Sequence, residues 1–325
     1  MPSHPKGLSK TPRSFALEDP RGDVLADVLG IALVRNALYK RIEAKAPWGI
    51  RKGPKPRATF YLLARGSALL EVEGERDVRL AVGDVAFIPH GTPHTLRDAK
   101  TSEPELACDG PARPSSGTRR VGGNGAPSSI IAGFFERELG RAPALLANLP
   151  KLVVITPADA SNEPWIGATV QLILAESAAP GPASAFILQR LCDVLFVHAL
   201  RSLARRPNCP SGLPALSDPV IYQALSLMHA DFGAKWSVAE LARRVGLSRS
   251  GFALRFNELV GEPPLQYLAR WRLARAAELL RDTEEDIVQI ATHVGYESVP
   301  SFSRTFKRYH GQSPGAYRRA TPADG

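Results

Sequence analysis

One pattern occurs twice near the end of this chain, and it leaves few folds open. Ser248, Phe252, Phe256, Gly261, Pro264 and Tyr267 recur fifty residues later as Ser298, Phe302, Phe306, Gly311, Pro314 and Tyr317. Just upstream, Leu241-Ala242 with Gly246 recurs as Ile290-Ala291 with Gly295, displaced by one residue for an extra turn position. Two copies are too few for a solenoid; they describe two helix–turn–helix units, expected over 238–259 and 287–310. In each unit the alanine lets two helices approach and the glycine admits the turn between them.

The second copy, Val294–Tyr317, carries the chemistry. Phe302, Phe306 and Tyr309 recur at helical spacing and are expected to face inward. Ser298 suits the N-cap, and Pro300 falls in the first turn, where no intrahelical donor is lost. From Ser298 to Arg319 there are five Lys/Arg and no Asp or Glu. A helix that is apolar on one side and purely basic on the other suits a polyanion. In the first copy, Ser237-Val-Ala-Glu240 reads as a capping box for a helix that stops at Gly246. Ser248 caps the next helix, anchored inward by Phe252, Phe256 and Leu259. Pro263-Pro264 opens a connecting helix over about 265–281, and Asp286 with Gln289 caps the first helix of the second unit.

On these residues, the segment from Pro219 to Arg318 resembles the DNA-binding domain of AraC/XylS-type transcription regulators. The resemblance implies an all-α domain, residues 218–320, whose two recognition helices enter major grooves of double-stranded DNA. Carried over by position, Ser250, Ala253 and Leu254 would face bases in one groove, and Val299, Ser301 and Arg304 in the other. Arg243, Arg249, Arg255, Lys307 and Arg308 are expected on phosphates, which position without specifying. The first recognition helix departs from the family pattern. Ala253 and Leu254 stand where longer polar groups are common; they can touch a thymine methyl but cannot read donors and acceptors. Arg304 is the long bidentate donor of the two base-facing surfaces. The resemblance further implies activation of transcription, with RNA polymerase as a candidate partner.

The preceding two thirds of the chain read differently. Residues 1–14 are polar, with prolines at 2, 5 and 12, and are expected to be disordered. They contain no apolar core of a secretory signal. Residues 15–206 are expected to form one domain. Asp23–Ile31 has helical spacing, after which the period moves toward two. Candidate strands are 37–44, 58–63, 68–72 and 78–80, punctuated by Gly66, Gly74 and Gly83. Short strands at regular turn spacing argue a β-barrel or sandwich.

Gly83–His94, GDVAFIPHGTPH, resembles the second cupin motif: a turn, a buried strand, then a Pro/Gly corner that presents His94 to the barrel interior. Metal-binding cupins also carry a His-x-His and a Glu on an earlier strand. The stretch here is ATFYLLARG, with Thr59 and Tyr61 and no histidine, so His90 and His94 fall short of a two-His-one-carboxylate set. His94 is read as a hydrogen-bonded structural residue, and neither metal nor cofactor is expected. Phe60, Leu62, Phe87 and His94 are the candidate lining of a largely apolar effector pocket; a purely structural barrel is the alternative.

Residues 97–129, rich in Pro, Gly, Ser, Asp and Arg, read as a mobile excursion containing Arg119-Arg120, followed by a returning strand at 129–135. Two amphipathic helices follow. One carries Trp165, Thr169, Leu172 and Ile173 at helical spacing; the other, Ile187, Leu188, Leu191, Val194, Leu195 and His198. They either cap the barrel or pair with a second subunit, as this layout does in AraC-type regulators. Residues 207–217 read as a linker before the DNA-binding domain.

The chain is therefore expected to be α+β and two-domain: a cupin-like β-barrel with flanking helices, then an all-α double helix–turn–helix domain. A net charge of +9 agrees with a nucleic-acid partner without proving it. Cys108, Cys192 and Cys209 show neither metal spacing nor an even framework, which points to a reducing cytoplasm. No run of eighteen apolar residues occurs, so no membrane partner is expected. Two enzyme readings compete with a regulator. A metal-dependent cupin lacks its ligands here, and a DNA-repair methyl acceptor needs a cysteine in a basic, activating setting that Cys108 and Cys192 do not have.

Overall fold

The computed structural model describes residues 23–54, 57–106, 118–137, 144–147, 149–205 and 212–320. The segment expected to be disordered, 1–14, lies outside these residues, as do Cys108 and Cys209. Helix α1 (Val24–Ala32) runs directly into β1 (Leu33–Lys45), the first of eleven strands among the described residues. The others are β2 (Gly49–Lys52), β3 (Arg57–Arg65), β4 (Ala68–Val72), β5 (Val78–Leu80), β6 (Val85–Ile88), β7 (His94–Arg97), β8 (Glu105–Leu106), β9 (Thr118–Gly122), β10 (Pro127–Arg137) and β11 (Val153–Ile155). They form two sheets rather than one closed barrel, in the orders β11-β6-β3-β10-β1-β9 and β5-β4-β7-β2-β8.

The stretch 97–129 is not a simple excursion. It contributes β8, parallel to β2, and β9, parallel to β1 with Arg41 opposite Thr118 and Lys45 opposite Gly122. Arg119 and Arg120 thus sit on a sheet edge. Composition pointed to a loop, but pairing at an edge needs only backbone donors and acceptors, whatever the side chains. Residues 107–117 within it lie outside the described residues.

Period-two alternation gives each central strand two buried faces. Tyr61 and Leu63 point between the sheets, toward Leu70 and Leu96. Phe60, Leu62 and Phe87 point the other way, into a core completed by helices. Gly133 of β10 lies opposite Phe60 of β3, whose ring fills the place of the missing side chain: a Cβ there would come within 1.8 Å of Phe60 Cε1.

After α2 (Ala144–Ala147) and α3 (Pro157–Asn162), helices α4 (Pro164–Ala178) and α5 (Ser184–Ala204) cover that outer face. Phe196 meets Phe87 edge to face at 5.1 Å. The buried stripes are Ile166, Thr169, Val170 and Ile173 on α4, and Leu188, Cys192, Leu195, Ala199 and Leu203 on α5. The expected stripes contained Thr169, Ile173, Leu188 and Leu195 but also Trp165, Leu172, Ile187 and Val194, which are exposed. Both helices are apolar on more than one side, so spacing alone did not say which side meets the sheet.

The carboxy-terminal part comprises a 3-10 turn (Leu213–Leu216), α6 (Pro219–Ala230), α7 (Val238–Arg244), α8 (Arg249–Val260), α9 (Pro264–Asp282), α10 (Ile287–His293), α11 (Val299–His310) and α12 (Pro314–Ala320). Residues 207–211 of the expected linker lie outside the described residues, but its second half is no solvated spacer. Leu213 and Ala215 are fully buried, and the turn packs against α2, α5, α6 and α8. Gly212 passes so close to Leu145 that a Cβ would meet its Cα at 2.8 Å. Helix α1 joins the same core: Val24, Leu25 and Val28 belong with Met228 and Trp271, and α1 touches α6 and α9.

Candidate nucleic-acid interface

The sequence repeat is a repeat of contacts. Phe252 and Phe256 lie 5.6 Å apart, Phe302 and Phe306 5.5 Å, and all four are fully buried. Tyr267 meets Phe256 at 5.8 Å and Tyr317 meets Phe306 at 5.5 Å, both edge to face. Each turn closes the same way, Leu247 N–H donating to Ala242 O and Tyr296 N–H to Ala291 O, both at 2.9 Å. Gly246 and Gly295 have φ of +73° and +81°, and Gly261 and Gly311 end the recognition helices at +87° and +82°. The two units are separate hydrophobic clusters that share α9.

The caps differ from expectation in two places. Asp286 and Gln289 form the full reciprocal box. Ser237 accepts from Glu240 N–H at 3.1 Å, but the Glu240 carboxylate turns to Arg243 and Arg244 instead of completing a box. Ser248 accepts from Gly251 N–H at 3.2 Å, whereas Ser298 makes no side-chain cap. One of its usual targets, the N–H two residues on, does not exist in Pro300.

With the phenylalanines inward, α8 presents Ser250 and Leu254 to solvent and holds Ala253 half-buried; α11 presents Arg304 and holds Val299 and Ser301 half-buried. Leu254 and Arg304 occupy equivalent positions in the two units, as do Arg249 and Val299. Arg249, Lys307 and Arg308 are exposed along the same helices. Two of the expected phosphate contacts are already engaged. Arg243 pairs with Glu240. Arg255 donates from Nε to Asp218 Oδ2 at 3.0 Å, and that carboxylate also caps α6 by accepting from Val220 and Ile221 N–H. Spacing could not reveal this, because Asp218 lies 37 residues away in sequence. Asp218 holds its carboxyl below the usual range: burial acts against the shift, and the Ile221 N–H and Arg255 guanidinium outweigh it.

In the amino-terminal domain the four candidate effector residues do not line one space. Phe60, Leu62 and Phe87 sit beneath the helices, while His94 of β7 is buried between the sheets beside Tyr61, which points to the opposite face of β3 from Phe60 and Leu62. His94 Nε2 lies 2.8 Å from the Tyr61 hydroxyl and Nδ1 2.7 Å from Thr92 O, linking the two sheets through a polar pair. His90 Nε2 lies 2.7 Å from Leu149 O. No cluster of three metal-ligating side chains occurs among the described residues. Burial pushes the Cys192 thiol well up, away from a reactive thiolate.

Two helix–turn–helix units on a shared helix, each with an exposed recognition helix and joined to a two-sheet domain, define a two-domain DNA-binding regulator. Residues 23–205 match the cupin family, and residues 241–320 match a helix-turn-helix domain. The chain is 36% identical over 304 residues to a protein of Streptomyces lividans described as an AraC-like transcription regulator, covering 91% of this chain and 98% of the relative. A protein of Streptomyces antibioticus with the same description is 34% identical over 300 residues, again covering 91% and 98%. A crystal structure of an AraC-type DNA-binding-domain regulator from Chromobacterium violaceum is 34% identical and covers 34% of this chain and 99% of its own, with a TM-score of 0.32. The chain belongs to the AraC-like transcription regulators and carries a cupin domain. No helix among the described residues is long and apolar enough to cross a membrane.

Proposed function

We propose that this regulator is a cytoplasmic activator that reads a bipartite operator, α8 in one major groove and α11 in the next. The observation that carries the reading is the equivalence of the two units: the same buried phenylalanine pair, the same turn closure and the same exposed helix face in each. In this reading Ser250, Ala253 and Leu254 face the first half-site, Val299, Ser301 and Arg304 the second, and Arg249, Lys307 and Arg308 hold phosphates. Arg304 then specifies a guanine, a contact worth about 1–3 kcal/mol of discrimination. The half-site under α8 is looser or T-rich, because Leu254 and Ala253 offer only apolar contact. Activation through RNA polymerase and control by a small molecule in the cupin domain rest on family membership, and the proposal extends to a homodimer formed through α4 and α5.

Selection of binding sites from random DNA with wild type and Arg304→Ala tests the reading. The expected result is one strongly preferred G·C position that the variant alone relaxes. A variant that binds every sequence more weakly, with all base preferences intact, would place Arg304 on phosphate instead.

A further inference from the structure

Helix α9 does more than connect the two units, because two arginines on it fasten both ends of the assembly. Arg272 donates from Nε to the Phe232 carbonyl at 2.6 Å and from Nη2 to the Ala234 carbonyl at 2.7 Å. Those carbonyls belong to the loop after α6, on the first unit's side. That loop lies directly on the turn of the second unit. A Cβ on Gly233 would meet His293 O at 2.7 Å, and one on Gly295 would meet Gly233 O at 2.5 Å and Arg272 Nη2 at 3.0 Å. The Phe232 ring stacks on His293 at 5.6 Å and carries the Arg275 guanidinium on its other contact, also at 5.6 Å. Lys235 reaches Glu297 at 2.7 Å. Two residues before Arg272, Arg270 donates to Glu262 Oε2, just beyond α8, at 3.0 Å and hydrogen-bonds Tyr309 of α11.

The two arginines of α9 thus join the units at two places: Arg272 holds the loop after α6 against the turn between α10 and α11, and Arg270 links the end of α8 to Tyr309 of α11. We infer that Arg272, supported by Arg270, is a positioning residue that sets the separation and angle of α8 and α11, and so the spacer length the operator must have. The inference rests on the bipartite reading above. Its physical basis is the planar guanidinium, which holds two carbonyls in one fixed geometry, where the rotating donors of a lysine ammonium would fix no orientation. One inserted base pair moves the second groove by about 3.4 Å along the axis and roughly 35° around it. A clamped pair of helices cannot follow that change without breaking contacts.

The test is binding of the full-length protein to duplexes in which the selected half-sites are separated by the preferred spacer, or by one or two base pairs more or fewer. Wild type is expected to lose about ten-fold or more per displaced base pair, and Arg272→Ala less than about three-fold, with unchanged base preferences inside each half-site. Arg272→Lys is expected to lie between them. Gly233→Ala is the second variant. Its added methyl pushes against the His293 carbonyl, so the preferred spacer should shift rather than broaden. If folded Arg272→Ala keeps the wild-type spacer profile at uniformly lower affinity, the positioning role is wrong; should it fail to fold, an unshifted Gly233→Ala profile overturns the role equally. If wild type itself binds one half-site as tightly as two, the bipartite reading fails instead.

Discussion

Asp27 and His229 are 202 residues apart in sequence, and Oδ2 of the one lies 3.0 Å from Nδ1 of the other. His229 Nε2 lies 2.7 Å from the Tyr267 hydroxyl, and its ring stacks on Trp271 at 3.7 Å and 4°. A neutral imidazole protonated on Nδ1 satisfies all of this: it donates to the carboxylate and accepts from the tyrosine. The pair joins α1, which continues into the first sheet strand, to α6 and α9 of the DNA-binding domain.

This contact makes stability depend on pH. Burial lowers the His229 pKa from 6.5; the Asp27 carboxylate works against that, and the Arg275 guanidinium adds to it. With a depressed folded-state value, the unfolded chain takes up the proton first. The contribution is therefore complete above about pH 6.5 and lost as pH falls from there toward the folded-state value. Thermal unfolding between pH 8 and pH 5 is expected to show a steeper decline in wild type than in His229→Gln. Parallel curves would mean that the ring does not titrate in this window. Asp27→Ala should cost about 1 kcal/mol at pH 7.5, the low end for a lost buried partner, since water can reach Asp27.

The carboxy-terminal domain should not be independent of residues outside it. Fragment 218–325 lacks Leu213 and Ala215, which fill its core between α6 and α8. A fragment starting at 212 is expected to be more stable by about 1 kcal/mol, the part of one leucine's burial that α6 and α8 supply without α2 and α5, as read from the urea midpoint. Both should fall below the full chain, which keeps α1 on Met228 and Trp271. Equal midpoints for the two fragments would show the 3-10 turn to be a passenger.

An exposed apolar face runs along α4 and α5, where Trp165 is 70% exposed, Leu172 57% and Val194 43%. Helical pairing through it should be abolished by Leu172→Glu with Val194→Glu, two side chains about half exposed in the monomer, with a circular-dichroism melt checking that the fold is kept. Sedimentation velocity is expected to find a dimer for wild type and a monomer for the double variant. A variant that still sediments as a dimer places the interface elsewhere.

Arg249 and Arg255 differ by what already holds them. Arg249→Ala is expected to weaken binding to all sequences alike and to lower the slope of log affinity against log salt by about one. Arg255 is held by Asp218, so Arg255→Ala should change the salt slope by well under one and act chiefly by loosening the start of α6. Titrations over a series of salt concentrations decide between them; a full unit lost for Arg255 would mean that it leaves Asp218 to bind DNA.

Much of this protein is determined locally. The two helix–turn–helix units follow from side chains three, four and five positions apart: serine and aspartate caps, the Phe252/Phe256 and Phe302/Phe306 pairs, and the glycines at positive φ. Those interactions close within one or two helical turns, so linear spacing contains them. Strands 68–72 and 78–80 were equally legible, because period-two alternation and flanking glycines are local signals.

Only the tertiary structure decided what depends on partners far away in sequence. Phe60 and Tyr61 are adjacent aromatics, yet one lies under α5 and the other bonds His94 between the sheets, which dispersed the expected effector pocket. A Pro-rich stretch that reads as a linker became core at Leu213, since burial is a property of what surrounds a residue. Three arginines on the same basic domain took three roles. Arg255 is held by Asp218, Arg272 by two backbone carbonyls, and Arg304 faces solvent. The charge is written in the chain; which anion or carbonyl meets it is set by the geometry of residues tens of positions away.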